Sequence, residues 1–145
     1  MADPTSNAAD KKKILVIDDS KVFLKAISTL LAAKGYDVLK AENGPQTITV
    51  LNKFKPDLIL LDLGFVPDPA NVCGALSDGF VILDWARRMC HAENIPVIIV
   101  SANDLKQHEA HAKSAGVFAC FHKPVNNQKL LDSIHAALGN VPVGV

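Results

Sequence analysis

Five short strand-like runs constrain this chain more than anything else in it: Ile14–Ile17, Tyr36–Ala41, Leu58–Leu61, Ile95–Val100 and Val117–Phe121. Leu58–Leu61 is continuously apolar, the pattern of a strand covered on both faces. Between the runs the apolar period changes to that of a helix. Val22, Phe23, Ala26, Ile27, Leu30 and Leu31 recur at helical spacing after Ser20, a capping residue, and stop at Gly35. Gly44-Pro45 opens a shorter helix, because proline is tolerated at a first helical position. Ile82, Leu83, Ala86, Met89 and Cys90 share a helical face, with Trp85 beside it as apt to be packed as exposed; Asp104–Ala115 reads as a polar helix closed by Gly116, and Leu130, Leu131, Ile134 and Leu138 mark the last helix. Strand and helix alternate five times. The expected architecture is therefore α/β: a doubly wound five-stranded parallel sheet with helices on both faces and right-handed crossovers.

Composition excludes several alternatives. A chain of 145 residues, 49% hydrophobic, can close one core without covalent staples. Residues 12–139 form the expected domain, with 1–11 a disordered leader and 140–145 a tail. Fifteen acidic and fifteen basic residues cancel, and no basic cluster follows Lys11–Lys13, so no general attraction to nucleic acid arises. Cys73, Cys90 and Cys120 lack a CxxC spacing and read as reduced thiols in a cytoplasmic protein. No apolar run approaches a membrane span, and the first ten residues lack the apolar core of a signal peptide. No Gly-rich loop follows the first strand, which disfavours nucleotide binding. His108 and His111 are three apart but lack a third ligand, so they read as a solvated face.

In a doubly wound sheet, ligands bind beyond the carboxyl ends of the strands. Four of the five strands end there in polar groups: Asp18-Asp19, Asp62, Ser101 and Lys123. Each has a bland reading, as a helix cap or a turn residue. Coincidence at one sheet edge favours chemistry. Clustered carboxylates repel unless a cation joins them, and Mg²⁺ suits an all-oxygen set that leaves positions open for phosphate. A carboxylate so held can attack phosphorus and form an aspartyl phosphate, with a lysine and a hydroxyl stabilising the phosphoryl oxygens.

The segments VIDDS (16–20), LILLDL (58–63), VIIVSA (97–102) and HKP (122–124) resemble, in the family's order, the motifs of two-component response regulator receiver domains, a CheY-like family of flavodoxin-like fold. The resemblance spans roughly residues 12–139. It implies Asp62 as phosphoacceptor, with Asp19 as a direct Mg²⁺ ligand, Asp18 a ligand mostly through water, and the Gly64 carbonyl completing the protein set. It further implies Ser101 with Ala102, and Lys123, as the phosphoryl-stabilising group, and a cis Lys123-Pro124 bond. The implied function is a switch that takes a phosphoryl group from a histidine kinase or histidine phosphotransfer protein and acts on a downstream protein. It is not a turnover enzyme, and no output domain is expected after Leu138.

Two departures stand out. After Pro67 the expected Asp-Gly pair arrives late, at Asp78-Gly79, so the loop over 64–78 is enlarged and is expected to alter access of water or partner to the acyl phosphate. Cys120 stands where the family usually has an aromatic switch residue; Phe121, one position along, faces the other way, and packing of a small side chain is the expectation for Cys120. Competing functions are a receiver-like interaction module that is never phosphorylated and an aspartate-nucleophile phosphatase. The second is weakened by Gly64, where such enzymes commonly carry an acid.

Overall fold

The computed structural model describes residues 11–62, 83–84, 86–88, 94–101 and 116–139. Its strands are β1 (Lys13–Ile17), β2 (Asp37–Ala41), β3 (Leu58–Asp62), β4 (Val97–Ser101) and β5 (Ala119–His122). Its helices are α1 (Lys21–Ala33), α2 (Gly44–Lys53) and α3 (Asn127–Ala137), and residues 83, 84 and 86–88 are helical as well. The five strands form one sheet in the order β2-β1-β3-β4-β5, every pair parallel. The order reverses at β1, which makes the edge beyond β1 and β3 the switch point where such folds bind ligands.

Alternation along the strands sorts the core into two layers. Leu15, Ile17, Ile59, Leu61, Val97 and Ile99 point to one face and meet Leu51 of α2 together with Leu83 and Ala86. Ile14, Val16, Leu58, Leu60, Ile98 and Val100 point to the other and meet Leu24, Ile27 and Leu31 of α1 and Leu130 and Ile134 of α3. β3 and β4 are buried along their whole length, as expected of central strands covered on both sides. Each fully buried leucine or isoleucine contributes about 1.5–3 kcal/mol by removal from water.

The helices begin where the sequence provides caps. Ser20 accepts from the Phe23 amide (3.2 Å), Asn43 from the Gln46 amide (2.9 Å), and Asn126 from the Lys129 amide (3.0 Å). Pro45 occupies the first turn of α2. After α1, Gly35 takes φ +90°, which a side chain rarely tolerates.

Two strands begin two residues later than the sequence pattern suggests, and one helix face differs. Paired strand begins at Val97 and not Ile95: Pro96 lends its carbonyl to the Ile59 amide (3.0 Å) but has no N–H for a ladder. The last strand begins at Ala119 and not Val117, after the turn at Gly116 (φ +74°), although Phe118 already donates to the Val97 carbonyl at 2.8 Å. On α1 the buried stripe is Leu24, Ile27 and Leu31, while Val22 and Ala26 face solvent, so the apolar stripe runs through Leu24 and leaves Val22 outside it. The expected helix over 104–115, the enlarged loop over 64–78, the packing of Cys90, and both termini lie outside the described residues. No helix among the described residues is long and apolar enough to cross a membrane.

Candidate functional site

The parallel register brings the strand ends to one edge. Ile17 pairs with Leu61, so Asp18 follows β1 at the level where Asp62 ends β3. Asp62 pairs with Val100, so Ser101 stands one residue beyond it on β4; Ser101 pairs with His122, so Lys123 stands one residue beyond β5. Asp18, Asp62 and Ser101 are buried, whereas Asp19 is exposed. Buried carboxylates require compensation.

Lys123 supplies part of it. Its ammonium donates to Asp18 Oδ2 at 2.7 Å and lies 3.6 Å from Asp62 Oδ2. The other Asp18 oxygen, Oδ1, accepts from the Ser20 amide at 2.8 Å. The Asp18 amide is itself held by the Ala41 carbonyl (3.1 Å), and the Lys123 amide by the Ser101 carbonyl (2.8 Å). The Lys123-Pro124 bond is cis. These backbone ties fix where the two charged side chains leave the sheet edge.

One carboxylate oxygen each from Asp18, Asp19 and Asp62 lies within 4.8 Å of the others. Of the sequence-predicted site residues, the structure therefore joins Asp18, Asp19, Asp62 and Lys123 directly and sets buried Ser101 beside them in the ladder. Gly64 and Ala102 lie outside the described residues. Cys120 corrects one expectation: it is exposed, because β5 is an edge strand whose residues alternate half-buried and exposed. Phe121 points to the opposite side and packs against the α1 and α3 layer, as alternation requires.

In the sequence Phe23 is only part of a helix face. In the structure its ring lies beneath the Lys123 ammonium, 4.2 Å from nitrogen to ring centroid. No local signal announces that contact, since its partner comes from the far end of the chain.

A family model for the response regulator receiver domain matches residues 14–135. The chain belongs to that family. It is a receiver domain of two-component signalling, with the flavodoxin-like fold of CheY-like proteins. It is 32% identical over 126 residues to the protein PilH of Pseudomonas aeruginosa, covering 87% of this chain and 97% of that one. It is 26% identical over 129 residues to the polar-differentiation response regulator DivK of Brucella anthropi, covering 89% and 98%. Among solved structures, a CheY-like receiver domain protein from Methanospirillum hungatei superposes with a TM-score of 0.77 at 25% identity, covering 90% of this chain and 95% of that one. Such relatives are signalling proteins.

Receiver domains typically hold Mg²⁺ in an acidic pocket, and the donor set here fits that ion. Its three described side-chain donors are all carboxylate oxygens, the hard ligands Mg²⁺ selects, and they converge closely enough to share one cation. The exposed Asp19 keeps the cluster open to solvent.

Proposed function

We propose that this receiver domain is a phosphorylation switch in which Asp62 accepts the phosphoryl group. The observation that carries the reading is the meeting of the Lys123 ammonium with two buried carboxylates, Asp18 and Asp62, at the sheet's switch point in a chain of this family. An Asp62 oxygen attacks phosphorus and forms the acyl phosphate bond as the bond from phosphorus to the donor's imidazole nitrogen breaks. The electron pair leaves with the imidazole, which takes up a proton. The Lys123 ammonium then neutralises phosphoryl oxygens, and the buried Ser101 hydroxyl is the further donor.

Asp19, Asp62 and Asp18, with the Gly64 carbonyl, would hold Mg²⁺, which when bound supplies positive charge to the phosphoryl oxygens. Their existing bonds support a division in which Asp19 binds the ion directly and Asp18 mostly through water. Asp18 spends one oxygen on the Ser20 amide and the other on Lys123, whereas Asp19 is exposed and open to direct coordination. The donor is a histidine kinase or phosphotransfer protein, and the readout is a downstream protein. Ala102, the small residue next to Ser101 in sequence, is the further phosphoryl-site residue in this reading. The site is used once per phosphoryl group accepted and does not turn over external substrates.

The test is incubation with acetyl phosphate and Mg²⁺, followed by intact-mass measurement. The expected result is a gain of one phosphoryl group that is base-labile and abolished by Asp62→Asn. An unmodified wild-type chain under acetyl phosphate and phosphoramidate alike would overturn the reading in favour of an unphosphorylated interaction module. Steady phosphate release from added monoesters would favour a phosphatase.

A further inference from the structure

We infer that Phe23 is a positioning residue for Lys123: its ring face holds the ammonium between Asp18 and Asp62, where the phosphoryl oxygens must arrive. The inference rests on the phosphorylation reading above. Lys123 carries a flexible four-carbon stem, and an ammonium so mounted has many positions open to it. Three groups confine it here: Asp18 Oδ2 at 2.7 Å, Asp62 Oδ2 at 3.6 Å, and the Phe23 ring at 4.2 Å.

The ring is itself well fixed. Phe23 lies in the first turn of α1, and its amide donates to the Ser20 cap. The Ser20 amide in turn donates to Asp18 Oδ1. One short segment, Asp18 to Phe23, therefore carries both a carboxylate and the ring that bracket the ammonium. The body of Phe23 is half-buried against the layer of core residues that includes Leu24 and Ile27.

A ring suits this task for a chemical reason. It attracts a cation through its negative face without consuming a hydrogen-bond donor. The ammonium, which already donates to Asp18 Oδ2, can therefore exchange a carboxylate oxygen for a phosphoryl oxygen as transfer proceeds. A polar residue at the same place would compete for those donors. An aliphatic one would fill the space and leave the ammonium unattracted.

The distinguishing variants are Phe23→Leu, which keeps apolar bulk, and Phe23→Tyr, which keeps the ring. With acetyl phosphate as donor, Leu is expected to slow phosphorylation of Asp62 by roughly three- to thirtyfold, and Tyr to stay near wild type. Melting temperatures measured alongside identify any rate loss due to misfolding, because such a loss would not be rescued selectively by Tyr at equal stability. A second readout needs no phosphorylation. In ¹⁵N-lysine-labelled protein the Lys123 ammonium protons, lying over a ring face, are shifted upfield by ring current; the shift should vanish in the Leu variant and persist in Tyr.

A Leu variant with wild-type rate would overturn the positioning role, as would an ammonium resonance that ignores the substitution. If wild type takes no phosphoryl group at all, the functional reading fails, and the resonance still decides whether Phe23 holds Lys123.

Discussion

Replacing Lys123 by methionine keeps most of the aliphatic stem and removes the charge that Asp18 and Asp62 share. Breaking a buried ion pair from one side costs about 3–5 kcal/mol, because the remaining charge is left unpaired in a poorly solvated place. The Asp18 side chain is 1% exposed and meets that condition, but Lys123 is 21% exposed, so water reaches part of the pair. Screening lowers the expected loss to about 2–3 kcal/mol, to which the lost ring contact with Phe23 adds about 0.5–1 kcal/mol. For a chain of this length each kcal/mol moves Tm by about 2–4 °C, so a total loss of about 2.5–4 kcal/mol gives a fall of roughly 5–16 °C in EDTA. Mg²⁺ should then rescue the variant more than it stabilises wild type, because the metal no longer competes with the ammonium for the same carboxylates. At a hundredfold excess over Kd, a bound ion adds about 2.7 kcal/mol. Circular dichroism melts of both proteins, each with EDTA and with Mg²⁺, measure all four states. A fall below about 2 °C in EDTA, or equal Mg²⁺ gains in both proteins, would refute the idea that Lys123 stands in for the metal.

Two further outcomes concern stability away from the site. Burial pushes the Tyr36 phenol above its usual value near 10, so the unfolded chain ionises first, binds fewer protons, and gains on the folded state as pH rises through and beyond 10. Tyr36 is the only tyrosine, so phenolate absorbance reports it alone; its midpoint should drop on adding urea, and an unchanged midpoint would contradict the assignment. The Ser28 hydroxyl is buried in α1 with no hydrogen-bond partner, so Ser28→Ala should stabilise by about 1 kcal/mol, combining relief of an unsatisfied group with better helix propensity. A lower urea midpoint for the alanine variant would show that the hydroxyl does find a partner.

Sequence period alone carried most of the architecture. The central strands announce themselves because residues such as Leu58–Leu61 and Val97–Val100 must be apolar on both faces, and no helix segment of that length is bounded so sharply by Asp62 or Ser101. The start of the edge strand β5 is harder to see in the sequence because an edge position relaxes that demand: Ala119 to His122 alternate half-buried and exposed, and nothing in Val117 or Phe118 marks the turn's end. Exposure of Val22 is not legible in the sequence for a related reason. A helix of this pattern offers two overlapping apolar stripes, and only the sheet beneath chooses Leu24. The acids and Lys123 were legible as strand-end residues, but the ring of Phe23 was not, since its role exists only in the contact with Lys123.

The contact between Lys123 and Asp18 says why the site needs a lysine at the last strand. In the sheet order, β1 and β5 are separated by β3 and β4, and three strand spacings amount to about 14 Å. The two side chains nevertheless meet at 2.7 Å across 105 positions of sequence. Neither residue lies within a strand. Asp18 follows β1 and Lys123 follows β5, so both leave the ladder and lean over the ends of β3 and β4. The register helps: from β3 to β5 the polar edge climbs one residue per strand, which puts Lys123 highest above the buried Asp62 and lets a long side chain reach back over it. A short side chain at that position would not cross the gap. The site is thus a property of the last residues of β3 and β4 and of the residues just beyond β1 and β5, held at height by a parallel register that the apolar strands enforce.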